Sequence, residues 1–168
     1  MIGRSETFIK WLLYALATFA LFLLQGVLHR LRLFGVLPFL YPVMAATLSM
    51  YEGAFAGTAY SLVLGVACDL LLPGPIPCFY TLVFPLAGLC AGLMARSLLP
   101  AGFPCCLASS AVAFLLTDAF HCLLLAMGGG FSSAALVTAA AETGLTLCFS
   151  PAVLLLFRPI HRKCHLDD

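Results

Sequence analysis

The chain has 168 residues and a formal net charge of +1 at pH 7. Apolar types make up 63% of it and charged types only 9%, where a soluble domain carries about 25% charge; mean hydropathy is +1.11. These values exclude a water-soluble globule, exclude disorder, which needs low hydrophobicity and high charge, and leave no charge-rich stretch for a separate soluble catalytic domain.

Basic residues mark where the chain leaves the membrane. They are Arg4, Lys10, Arg30, Arg32, Arg96, Arg158, Arg162 and Lys163. A spanning helix needs roughly 20 apolar residues, so the gap at 11–29 holds one helix. The gap at 33–95 is broken firmly at Pro73-Gly74-Pro75-Ile76-Pro77, because closely spaced prolines cannot continue a helix. A softer break at Tyr51-Glu52-Gly53 reads as a tight turn, with Glu52 placed near a helix N-terminus. Helices are therefore expected near 36–50, 53–72 and 78–95. The first of these is short, about 22 Å at 1.5 Å per residue. Pro42 is expected to kink it, and a re-entrant path there would leave five spans. In 97–157 the run Gly128-Gly129-Gly130-Phe131-Ser132-Ser133 separates helices near 103–127 and 134–157, the latter interrupted by Pro151.

The expected fold is one all-α membrane domain covering 1–168, a bundle of about six transmembrane helices with short loops. Helices are forced because lipid offers unpaired backbone groups no partner, and the runs lack the alternation of a β-barrel. Six crossings put Arg4, Lys10, Arg96, Arg158, Arg162 and Lys163 on one side and only Arg30 and Arg32 on the other. By the positive-inside rule both termini are expected to be cytoplasmic. Residues 11–28 are too long and bulky, and Gly26-Val27-Leu28-His29-Arg30 too poor a cleavage site, for a cleaved signal peptide.

Catalytic motifs are absent from the sequence: no P-loop, no Rossmann glycine pattern, no nucleophile elbow. The cysteines form no CxxC pair and read as small apolar filler. The tail His161-Arg162-Lys163-Cys164-His165 lacks metal-ligand partners, is too short for nucleic acid, and fits a positive-inside anchor. No catalytic residue, cofactor or metal is expected.

Small residues mark a packing surface. Gly53, Gly57, Ser61 and Gly65, followed by Asp69, recur at every fourth position and so share one helix face. The next helix carries Gly88 and Gly92. Such ridges let backbones approach closely in lipid, so these two helices are expected to form a tight antiparallel hairpin, part of the ridge being a candidate partner face. Three acids, Asp69, Asp118 and Glu142, fall inside helices, where ionisable groups are costly and each is a functional candidate. His121 shares the Asp118 face. An outward-opening polar pocket of Asp69, Asp118, His121 and Glu142 is one expectation, with Arg30 and Arg32 as counter-ions. Separate acids, each protonated or bonded to a neighbouring hydroxyl (Thr117, Thr143), are the other.

The order of ridge, Cys68-Asp69-Leu70-Leu71, Gly/Pro loop and second glycine ridge across 53–96 resembles the rod-shape-determining MreD family. The resemblance implies a non-enzymatic scaffold of the bacterial inner membrane, acting in cell elongation and peptidoglycan synthesis. Implied partners are an MreC-type single-span protein, a peptidoglycan polymerase–transpeptidase pair and, indirectly, the MreB filament. Asp118 and Glu142 belong to no motif of that family, and its loop is usually less rich in proline. A different class is also open. The substrate-binding S components of energy-coupling-factor vitamin transporters are similar in helix number, short loops and an outward pocket, although the helix 1 small residues Ala15, Ala17 and Ala20 match them weakly.

Overall fold

The computed structural model describes residues 4–31, 38–72, 74, 76–130 and 132–165, with side chains for all of these except 4–6, 29–31, 135 and 163–165. Five helices form: α1 (Arg4–Leu31), α2 (Tyr41–Leu71), α3 (Phe79–Ser97), α4 (Phe103–Met127) and α5 (Ser133–His165). Each is long and apolar enough to cross a membrane, so the chain is a multi-pass membrane protein. Its pattern is inverted relative to a soluble bundle. Phe8, Leu12, Leu16, Phe19, Leu23 and Val27 are exposed along one side of α1, while Tyr14, Ala17, Leu21 and Leu28 face the core.

The expected segments near 36–50 and 53–72 form one element, α2, so the count among the described residues is five rather than six. α2 is nonetheless broken. Gly53 sits at φ 83° and ψ 175°, a conformation that only glycine adopts without strain. Ser49 and Ser61 would stand about 18 Å apart along an unbroken helix. Their hydroxyl oxygens lie 3.3 Å apart, so the arms 41–52 and 54–71 fold back on each other.

The first arm is the centre of the molecule. Every residue from Tyr41 to Met50 is buried, as expected for a helix that is apolar all round. At twelve residues it is only about 18 Å long. Pro42 lies in its first turn, where the missing N–H costs nothing, so it starts the helix rather than kinking it. Val43, Met44 and Leu48 pack with Tyr14, Leu21, Leu64, Phe84, Phe114, Val153 and Phe157.

α5 runs through Pro151 and Pro159 to His165 instead of stopping near 157. Pro151 cannot donate to the Leu147 carbonyl four residues back. The Ser150 hydroxyl donates to that carbonyl instead, at 2.8 Å, and the helix continues.

The glycine ridges pack inward. A Cβ on Gly57 would run into the Ser49 backbone. One on Gly65 would sit 2.5 Å from the Tyr80 carbonyl oxygen, and one on Gly92 would sit 2.5 Å from the Ala54 Cα. Gly88 is covered by Ser61 and Ser49. The antiparallel hairpin of α2 and α3 is therefore present, and the first arm of α2 fills the rest of its small-residue face. Gly57→Ala and Gly92→Ala should each lower stability by about 1–3 kcal/mol through overpacking. Gly144→Ala, with nothing within 4 Å of the added carbon, should be tolerated. Thermal midpoints in detergent, read by size-exclusion chromatography, separate the two outcomes.

Candidate functional site

Besides Glu6 near the start of α1, four acids lie within the helices, and the structure gives these four different work. Asp69, near the end of α2, accepts the Tyr80 N–H at 3.0 Å, the Thr81 N–H at 2.8 Å and the Thr81 hydroxyl at 2.5 Å. Those amides belong to the first turn of α3, where helical N–H groups lack intrahelical acceptors. The helix start itself has no side-chain cap of its own, because Cys78 precedes it in a left-handed conformation. Asp69 is thus a long-range N-cap that ties the end of α2 to the start of α3. It does not line the polar pocket, which corrects that part of the expectation: the carboxylate is taken up by α3.

The other three expected pocket residues do converge. Asp118 and His121 on α4 and Glu142 on α5 line a cavity of about 270 Å³ together with Cys122 and Thr138. Thr143 donates to Asp118 at 2.9 Å. His121 stands edge-on to Phe79, 6.3 Å between ring centroids. Of the expected counter-ions, Arg32 and the side chain of Arg30 lie outside the described residues. Thr117, one of the expected hydroxyl partners, donates to the Ala113 carbonyl.

Glu52 is the acid the sequence reading underestimated. Rather than serving a helix N-terminus, its carboxylate joins three helices. Lys10 of α1 lies 2.5 Å away, the Tyr14 hydroxyl donates at 2.8 Å, and His161 Nδ1 of α5 stands at 3.4 Å. His161 also stacks on Tyr51 at 4.7 Å. The carboxylate is 8% exposed, so the pair is shielded from water. The signal in the sequence was a single acid at a helix turn on the side rich in Lys and Arg. The same contacts bring the start of α1, the Gly53 break and the end of α5 to one end of the bundle.

The small-residue ridge does not offer a partner face. Gly57, Ser61, Gly65, Gly88 and Gly92 are all buried against the chain's own helices, and Gly53 is the hinge. The open apolar surface lies elsewhere. α1 and the second arm of α2 stand apart and leave a groove of about 910 Å³, lined among others by Trp11, Ala15, Phe19, Phe55, Ala59 and Ala67. At its floor Thr18 and Tyr60 bond at 2.5 Å. The Thr18 proton goes to the Tyr14 carbonyl, so Tyr60 is the donor.

No family model matches the chain, and neither the curated proteins nor the solved structures contain a match.

Asp69→Ala should destabilise the protein by about 1–2 kcal/mol, the usual loss for a helix cap, and Asp118→Ala by less, since Asp118 bonds one hydroxyl. Paired unfolding curves in detergent check the order; equal losses would remove the capping role assigned to Asp69.

Proposed function

We propose that this protein is a non-enzymatic scaffold of the bacterial inner membrane, of the kind the MreD resemblance implies. Its role would be to organise an MreC-type single-span protein and a peptidoglycan polymerase–transpeptidase pair, and through them the MreB filament, for cell elongation. The observation that carries this reading is the lateral groove between α1 and the second arm of α2. It is almost wholly apolar, it opens sideways, and Ala15, Ala56, Ala59 and Ala67 line it, the small residues that let a transmembrane helix approach closely. The reading places partner contact in this groove and not on the glycine ridge. Counting the two arms of α2 separately gives six passages and both termini on one side. The clustering of Arg158, Arg162 and Lys10 with the Gly53 turn at one end supports a cytoplasmic placement of that end.

A second reading, the vitamin-binding S component, is favoured by one observation, the cavity lined by Asp118, His121 and Glu142. Its volume of about 270 Å³ falls just under the range of roughly 300–1,000 Å³ for small-molecule sites, which weighs against it.

Pull-down from mild detergent distinguishes them. The full chain should co-purify with an MreC-type protein and a transpeptidase. Ala59→Trp with Ala67→Phe should cut that recovery at least about tenfold, a loss of about 1.4 kcal/mol, while the elution profile of the protein stays that of the folded form. Undiminished recovery would remove the groove as the partner site. A vitamin-like molecule co-purifying with the wild type and lost in Asp118→Ala with Glu142→Ala would replace the scaffold with the carrier.

A further inference from the structure

We infer that the chain carries a binding site for an anionic phospholipid headgroup at the end of the bundle where α5 finishes. A cavity of about 390 Å³ is lined there by Tyr51, Phe103, Leu154, Arg158, His161 and Arg162. Arg158 and Arg162 are one helical turn apart and His161 lies between them, so all three share a face of α5. Among the described residues neither arginine pairs with a carboxylate. Among the described residues the acid that contacts this group is Glu52, 3.4 Å from His161 Nδ1 and itself paired with Lys10 at 2.5 Å. The described side chains that line the cavity thus bring two arginines and no carboxylate.

The opposite wall adds to it. α4 begins at Phe103 beside the cavity, and its cap residue Gly102 offers no side-chain acceptor, nor is there an acid in the first turn. Pro104 removes one first-turn amide and Cys106 bonds the Gly102 carbonyl, but the positive end of the helix dipole still favours an anion. Arginine suits a phosphodiester because its planar fork bonds two oxygens at once.

The surroundings select a lipid over a soluble anion. The cavity lies where the apolar spans Leu136–Arg162 and Phe103–Met127 end. Beside it run exposed apolar side chains, Phe103 and Leu107 on α4 and Leu155 on α5. An anion held by the arginines would carry its acyl chains along this flank. Basic pockets between transmembrane helices near the cytoplasmic surface recognise anionic headgroups in this way. The site is separate from the lateral groove, and it stands whether or not the scaffold reading does.

Native mass spectrometry of the full chain tests this, with the protein released from detergent holding equal amounts of phosphatidylglycerol and phosphatidylcholine. The wild type should retain phosphatidylglycerol about tenfold to thirtyfold over phosphatidylcholine, the preference two interfacial cations provide. Arg158→Gln with Arg162→Gln should abolish it, and each single change should reduce it. Arg96→Gln, an exposed cation that does not line the cavity, should leave it unchanged. Equal retention by the wild type, or a preference that survives the double change, would overturn the site. Full displacement of the lipid by excess inorganic phosphate would overturn the headgroup assignment and leave a free-anion site.

Discussion

Hydrocarbon offers no hydrogen-bond partner, and the first arm of α2 is where that constraint is most severe. This arm is a short helix sealed inside the bundle, so the backbone amides that lead into it must be met by protein. α1 and α5 meet them. Gln25, 6% exposed, accepts the Leu40 N–H at 3.2 Å and donates to the Pro38 carbonyl. Thr146 accepts the Phe39 N–H at 3.0 Å while giving its own proton to the Glu142 carbonyl. Deeper in, Thr47 donates to the Val43 carbonyl, so the Cys106 thiol is left to donate to Thr47. Each bond is worth only about 1 kcal/mol net, but leaving a buried group unmade costs more. The bundle is organised around satisfying this arm.

The same logic explains how α1 is held. It is fastened at three polar points along its length: Lys10 and Tyr14 to Glu52, Thr18 to Tyr60, and Gln25 to the start of the first arm. Tyr14 also meets Phe157 of α5, 5.9 Å between ring centroids. Between these points and the second arm of α2 the apolar groove stays open. Interhelical hydrogen bonds in membranes average roughly 0.6 kcal/mol each, so α1 is attached discretely and not by a continuous packed seam.

Much of this was legible in the sequence. The Gly53 turn, the proline loop, the helices near 78–95 and 103–127 and the close packing of the glycine ridges all follow from local chemistry and periodicity. Glycine spacing says that a backbone approaches but not whose. The first arm of α2 took the place of a partner, and only tertiary structure could show that. Asp69 looked like a pocket acid because a carboxylate inside a helix is costly, yet the amides that satisfy it come from a helix eleven residues further on. Pro151 was expected to interrupt its helix; its compensation depends on the rotamer of Ser150, which periodicity does not encode. Glu52 was placed in the right turn but given the wrong partner, because its partners lie 38 to 109 residues away in the chain.

The two ends of the bundle differ chemically, and that difference bears on what the protein does. At one end the acid is matched by a cation: Glu52 has Lys10, and among the described residues Arg158 and Arg162 are left without a carboxylate partner. At the other end acids are matched by amides and hydroxyls: Asp69 by the start of α3, Asp118 by Thr143. A carrier would need its polar cavity free to exchange one set of partners for another. Here Asp69 is committed to the fold, Asp118 is already bonded, and the space between Asp118 and Glu142 is small. The large open surface is instead apolar and lateral. The acids within the helices are thus largely committed to fastening the chain's own elements, and the large unfilled volume is the apolar groove beside α1, the feature on which the proposed scaffold role rests.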